Sequence, residues 1–255
     1  MKAGYYQFAP SLFDKRGNLE KVSEKLGTAD ADLIVLPEFF NTGYTFSSAE
    51  EAAVQAERIP GGETTELMAA IARKKNMFIC GGLPEDDGGV LYNSSVLVGP
   101  GGYIGKYRKV HLFYNEKKYF KRGDLGYPVF DMGGTKASML ICFDWFFPEA
   151  MRSCALSGAQ VILHPTNLVM PYYQSASVTR ALENRVFIIL SNRYGKEENK
   201  GIVYNFTGAS RIVTPTGDII VSSPADKDDL RTAFIDPSLA LNKKLNEMND
   251  IFKEI

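Results

Sequence analysis

Residues 137–149 read Ala137-Ser-Met-Leu-Ile-Cys142-Phe-Asp-Trp-Phe-Phe-Pro148-Glu149, an apolar run that stops at a cysteine and passes through an acidic, aromatic turn to a proline. The run predicts a strand, and Pro148 predicts the start of a helix, so Cys142 falls at a strand-to-helix turn. α/β enzymes hold nucleophiles at such turns. Two more segments end on ionisable groups: Leu33-Ile-Val-Leu-Pro37-Glu38, and Tyr103-Ile-Gly-Lys-Tyr-Arg-Lys109, which runs into Val110-His-Leu-Phe113. Together they offer a thiol, a carboxylate and an ammonium. Attack on a carbon–nitrogen bond needs those three: a nucleophile, a base for its proton and a cation for the developing negative charge.

Around these segments, strand and helix patterns alternate. Strands are expected at 2–8, 32–36 and 77–80, with helices at 17–26 and 64–75 between them. Hairpins are expected where Gly99-Pro-Gly-Gly102 and Gly133-Gly-Thr135 separate apolar runs, and again around Pro215-Thr-Gly217. The second half repeats the scheme with a helix at 148–157 closed by Gly158, a strand at 161–163, a helix at 174–184 and strands at 186–191 and 232–235. The fold class is therefore α/β, a mixed sheet with helices outside. Both halves carry a buried strand ending near proline, at Leu36-Pro37-Glu38 and Leu163-His164-Pro165. That suggests two mixed sheets packed face to face with pseudo-twofold symmetry, although periodicity is equally compatible with one doubly wound sheet.

The 255 residues are 45% hydrophobic and contain no linker-like tract, so one domain spanning 1–255 is expected. With 29 basic against 30 acidic residues and only a short basic cluster at Lys106–Lys109, no nucleic-acid partner is expected. No apolar leader or membrane-spanning run is read, and three scattered cysteines suit a reducing compartment, so the expected location is cytoplasmic, with no membrane partner. His111 and His164 are the only histidines and no Cys-x-x-Cys occurs, which argues against a zinc site. No Gly-x-Ser-x-Gly elbow, Walker loop or Gly-x-Gly-x-x-Gly fingerprint is present either.

The blocks Leu36-Pro-Glu38-Phe with Asn41-Thr-Gly-Tyr44, Gly105-Lys-Tyr-Arg-Lys109-Val-His-Leu, Ile141-Cys142-Phe-Asp and Arg180-Ala-Leu-Glu-Asn184 resemble those of the nitrilase superfamily of carbon–nitrogen hydrolases, in the same order along the whole chain. Through its Cys142–Glu149 turn the chain is similar to the compact archaeal-type nitrilases, and also to the carbamoylputrescine and ω-amidase branches. The resemblance implies a four-layer α-β-β-α sandwich, a homodimer, and neither a metal nor an organic cofactor. It implies Glu38 as general base, Cys142 as nucleophile, Lys109 as the cation facing the tetrahedral intermediate, and Glu116 as the residue that orients Lys109 or the substrate. The expected partner is a small-molecule amide or nitrile substrate, cleaved through a Cys142 thioester to release ammonia or amine.

Each residue also has a plainer reading. Cys80 and Cys154 read as small buried hydrophobes. Glu38 and Lys109, taken singly, could be solvated surface charges, as could Glu116 within Glu116-Lys-Lys118; it is the pairing with the cysteine block that gives them chemistry. His111 and His164 read as structural histidines, and Glu183 and Asn184 as part of a packing helix. Tyr44, Phe143, Trp145, Phe146, Asn167 and Tyr172 follow strand ends and are candidate substrate-pocket residues, though core packing would also account for the aromatics. The apolar turn around Phe143 and Trp145 favours a small, partly aliphatic substrate. Rival functions are an N-carbamoyl-amine amidohydrolase, an acyl transferase, and a non-catalytic binding protein on the same fold. The tail from Leu239 to Phe252 could cross a subunit boundary or cover its own sheet.

Overall fold

The computed structural model describes residues 1–254 and contains two six-stranded mixed sheets. The first is built from β1 (Lys2–Gln7), β2 (Leu33–Val35), β3 (Phe78–Asp87), β4 (Val90–Gly99) and β5 (Gly102–Arg108), and is closed by the C-terminal strand Asp229–Phe234 beside β1. Helices α1 (Lys15–Gly27), α2 (Ala49–Gln55) and α3 (Glu63–Lys75) connect its strands. A one-turn helix α4 (Glu116–Tyr119) then leads to the second sheet: β6 (Val129–Asp131), β7 (Lys136–Met139), β8 (Val161–Thr166) and β9 (Phe187–Asn192), with α5 (Pro148–Leu156) and α6 (Tyr173–Asn184) between them. A separate hairpin, β10 (Tyr194–Asn199) with β11 (Ile202–Thr207), precedes the last two strands of that sheet, β12 (Arg211–Val213) and β13 (Ile219–Ser222), leaving the C-terminal strand as β14.

The strand orders, β14-β1-β2-β3-β4-β5 and β6-β7-β8-β9-β12-β13, decide between the two readings left open by periodicity. Each sheet has three central parallel strands, one antiparallel strand on one side and two on the other. This is the pseudo-twofold arrangement, and not one doubly wound sheet. Alternation along β1 and β2 sets the layers. Ala3, Tyr5, Leu33 and Val35 point into a core shared with Met139, Leu163 and Ile189 of the second sheet, while Tyr6 and Ile34 face Leu19, Val22 and Leu26 of α1 and Met68 and Ala72 of α3. Helices α5 and α6 place Met151, Cys154 and Ala181 on the other side of the second sheet, completing four layers.

Local chemistry explains most boundaries. The Asp14 side chain accepts from Gly17 N–H to start α1, Ser48 from Glu51 N–H to start α2, and Pro148 opens α5. Gly158, at φ 93°, follows α5 in the left-handed conformation expected of it. Differences are largest where pairing is non-local. β3 runs through Pro84 to Asp87, well past Cys80, because it pairs with β4 along its length; β2 ends at Val35, and on that side only a bridge from Glu57, whose N–H donates to the Pro84 carbonyl, meets the far half, so the N–H that proline lacks costs no ladder bond. In the hairpin expected around Pro215-Thr-Gly217 the first strand starts only at Arg211, since Gly208 and Ala209 both have positive φ. The tail covers its own chain: the Lys243 ammonium donates to the Asn184 and Arg185 carbonyls at the end of α6, and the Arg152 guanidinium lies over the Phe252 ring. No described helix is long and apolar enough to cross a membrane.

Candidate active site

Glu38 follows β2, Lys109 follows β5, Cys142 follows β7 and Asn167 follows β8, so the facing sheets deliver all four from strand C-terminal ends. Glu38 is buried against β3, and the approach is so close that a Cβ on Gly82 would lie 2.7 Å from Glu38 Cα. Cys142 opens a short 3₁₀ turn, Cys142–Phe146, with φ 40°, a conformation that costs a non-glycine residue about 1–3 kcal/mol.

Side chains from the surrounding strands hold that turn. The buried Asp144 carboxylate accepts from Ile141 N–H (3.0 Å), His111 N–H (3.0 Å) and the Tyr107 hydroxyl (2.8 Å), and lies 2.9 Å from His111 Nδ1. One carboxylate thereby ties the cysteine turn to the segment bearing Lys109. Burial lowers the His164 pKa to about 4, so its imidazole is neutral near pH 7. Its Nε2–H donates to the Cys142 carbonyl (3.2 Å) and its Nδ1 accepts from Tyr173 (2.7 Å). The His164 ring therefore supports the Cys142 backbone directly, whereas the His111 ring reaches the turn through the Asp144 carboxylate and stacks on Phe147.

The Lys109 ammonium, completely buried, bridges two carboxylates, 2.8 Å from Glu38 Oε1 and 2.7 Å from Glu116 Oε1. Asn93 Nδ2 also donates to Glu38 Oε1 (2.7 Å), while Glu38 Oε2 has no protein partner. Burial raises the Glu38 pKa against the pull of Lys109, strengthening it as a base. For Lys109, burial favours loss of the proton, but the charges of Glu116 and Glu38 outweigh it and keep the ammonium charged. Burial and the nearby Glu38 charge push the Cys142 thiol well above its usual range, with Lys109 pulling the other way. A protonated thiol with a base and a cation in the same electrostatic neighbourhood can surrender its proton as it attacks.

A tight cavity of ≈ 10 Å³ lies at Cys142 between Phe113, Phe143, Trp145, Asn167, Leu168 and Met170. A larger, more open groove of ≈ 360 Å³ shares Phe143 but not the cysteine. Of the candidate pocket residues, Phe143, Trp145 and Asn167 line the Cys142 cavity. Tyr44 lines a neighbouring one beside Glu116, to which its hydroxyl donates (2.6 Å). Tyr172 is 60% exposed and Phe146 51%, and neither lines the cavity, because the α6 start and the 3₁₀ turn direct them outward. Cys80 and Cys154 are buried and unpaired. Asn93 and Asp144 were not singled out by the sequence reading; the polar Asn93-Ser94-Ser95 within an otherwise apolar strand was the available signal for the first. Among the described residues, no group of three or more His, Cys, Asp or Glu side chains could hold a metal ion.

A family model described as carbon-nitrogen hydrolase matches residues 2–242. The chain is 46% identical over 257 residues to a nitrilase of Pyrococcus abyssi, covering 100% of this chain and 97% of that protein. It is 34% identical over 236 residues to an (R)-stereoselective amidase of Pseudomonas sp., covering 91% and 83%. Among solved structures it is similar to a mutant of the amidase from Nesterenkonia sp. AN1, with a TM-score of 0.79, 25% identity and coverage of 96% of this chain and 94% of that one. In that structure the active-site cysteine carries the acetamide moiety of fluoroacetamide.

Proposed function

The chain belongs to the carbon–nitrogen hydrolase family, as a hydrolase of the nitrilase and amidase type, and we propose that it cleaves a small amide or nitrile through a thioester on Cys142. The observation that carries this reading is the Lys109 ammonium held between Glu38 and Glu116 beside a cysteine at a strained strand-end turn. Cys142 Sγ attacks the amide carbonyl carbon as Glu38 takes the thiol proton. The oxyanion forms against Lys109, and Glu38 passes the proton to the departing nitrogen. With a nitrile the first adduct is a thioimidate, and water adds before ammonia leaves. In both cases Glu38 then activates water, which attacks the thioester and releases the carboxylate and the Cys142 thiol. Glu116 orients Lys109, and Phe143, Trp145 and Asn167 line the substrate site. The apolar aromatic walls favour small aliphatic acyl groups.

The test is ammonia release across small aliphatic nitriles, dicarboxylic monoamides and N-carbamoyl amines, with the mass of enzyme quenched during turnover. An acyl increment confined to the Cys142 peptide is expected; turnover without it would remove the thioester. No ammonia from any class would favour the binding-protein reading.

The raised thiol pKa sets a pH dependence. Without substrate, Cys142 is a thiol near neutrality, so iodoacetamide alkylation should be slow at pH 7 and still rising beyond pH 9. A rate already level between pH 6 and 8 would show a preformed thiolate. The whole chain is proposed to act as one domain in a cytoplasmic homodimer; the location is consistent with three unpaired cysteines, and light scattering tests the dimer.

A further inference from the structure

We propose that Glu197, on the β10–β11 hairpin, is a positioning residue that holds Lys109 in register through Tyr44 and Glu116, an inference that rests on the role given to Lys109 above. In β10 the flanking Lys196 and Glu198 pair with each other in solvent, whereas Glu197 turns inward and is buried. Its Oε2 accepts from Tyr44 N–H (2.8 Å), Thr45 N–H (2.7 Å) and the Thr45 hydroxyl (2.6 Å). Its Oε1 lies 2.6 Å from Nη1 of the buried Arg193, whose guanidinium covers the Phe206 ring at 4.1 Å. A carboxylate with four such bonds fixes the backbone it grips. Gly43 makes room for it: a Cβ there would lie 2.7 Å from Glu197 Oε1, and its φ is 78°.

What Glu197 grips bears directly on the charge cluster. The Tyr44 ring meets Tyr204 and Phe206 of β11 edge-on, at centroid distances of 5.5 and 5.9 Å. Its hydroxyl donates to Glu116 Oε1, the same oxygen that binds Lys109 Nζ. With the Tyr44 hydroxyl in place, Glu116 Oε1 shares its charge between two donors. Released from the hairpin, Tyr44 no longer holds that share, and Lys109 is drawn towards Glu116 and away from Glu38. Displacement of a reacting group by about 1 Å can cost about a hundredfold in rate. Glu197 touches neither substrate nor reacting atoms, so its effect falls on kcat more than on KM.

A double-mutant cycle tests the relay. Glu197→Gln and Tyr44→Phe should each lower kcat about ten- to a hundredfold, with KM within about threefold, and the double variant should be no slower than the poorer single one. Thr45→Val, which removes only the hydroxyl bond, should lower kcat severalfold in the wild-type background and not at all in Tyr44→Phe; this arm decides the matter if Glu197→Gln does not fold. Multiplying effects, or a lower Tm with unchanged kcat of the folded enzyme, would overturn the relay and leave Glu197 as a stabilising residue. Cys142→Ala run alongside separates the failures, since full turnover in that variant would remove the reading of Lys109 itself.

Discussion

Replacing Cys142 with alanine will abolish turnover and leave the fold in place. No other described group can take over the nucleophile's part: Cys80 and Cys154 are buried away from the cavity, and burial raises the Cys154 pKa to about 12. Loss of a covalent nucleophile costs on the order of 10⁶ in kcat where it has been isolated in a hydrolase, so ammonia release should fall below detection. The structural cost is small, since one sulfur is removed from a side chain at a cavity wall, and Asp144 and His164 hold the turn through backbone groups that alanine retains. Circular dichroism and the denaturation midpoint should therefore stay close to wild type. Residual turnover within about tenfold of wild type would remove Cys142 from the mechanism.

Lys109→Met should give the second largest effect, in both activity and stability. Removing a group that stabilises the developing oxyanion typically costs about 10²–10³ in rate. The same change leaves Glu38 and Glu116 buried without their shared cation, and breaking a buried pair in this way costs about 3–5 kcal/mol. The sign of the pH dependence follows from Glu38. Its folded pKa already lies above the usual 4.5, and the loss of Lys109 removes a pull that lowers it. A carboxyl with a raised folded pKa binds more protons folded than unfolded, so the variant gains stability as pH falls and loses it as pH rises from about 4.5 through the raised value. Urea denaturation at pH 5 and pH 8 should show the larger deficit against wild type at pH 8. An equal deficit at both, with normal turnover, would mean that Lys109 neither neutralises this cluster nor serves the reaction.

Glu38 and Cys142 stood out in the chain because each ends an apolar run, and an ionisable group at such a point is carried to a strand end; Lys109 stood out as the end of the strand after the Gly99–Gly102 turn, within a basic cluster. The two-sheet arrangement was suggested by the repeated strand-then-proline pattern, but choosing it over one sheet required knowing which strands pair. Asn93 and Asp144 escaped notice because their partners lie in other segments: Asn93 bonds Glu38 from 55 residues away, and Asp144 bonds Tyr107 from 37. The β10–β11 hairpin was missed because Tyr194-Gly-Lys-Glu-Glu-Asn199 carries polar residues on both faces and so has no strand periodicity.

The sequence by itself determined the alternation of strands and helices, the helix caps, and the residue types available for catalysis, because these depend on side-chain period and on neighbours within a few positions. Tertiary structure alone decided which charges are buried and with whom. Lys109 meets Glu38 across 71 residues, and Glu197 grips Thr45 across 152. In the sequence Glu197 is one solvated charge among Lys196, Glu197 and Glu198; docking of the hairpin turns it inward, away from water, where its carboxylate is stable only because four hydrogen bonds replace the lost hydration.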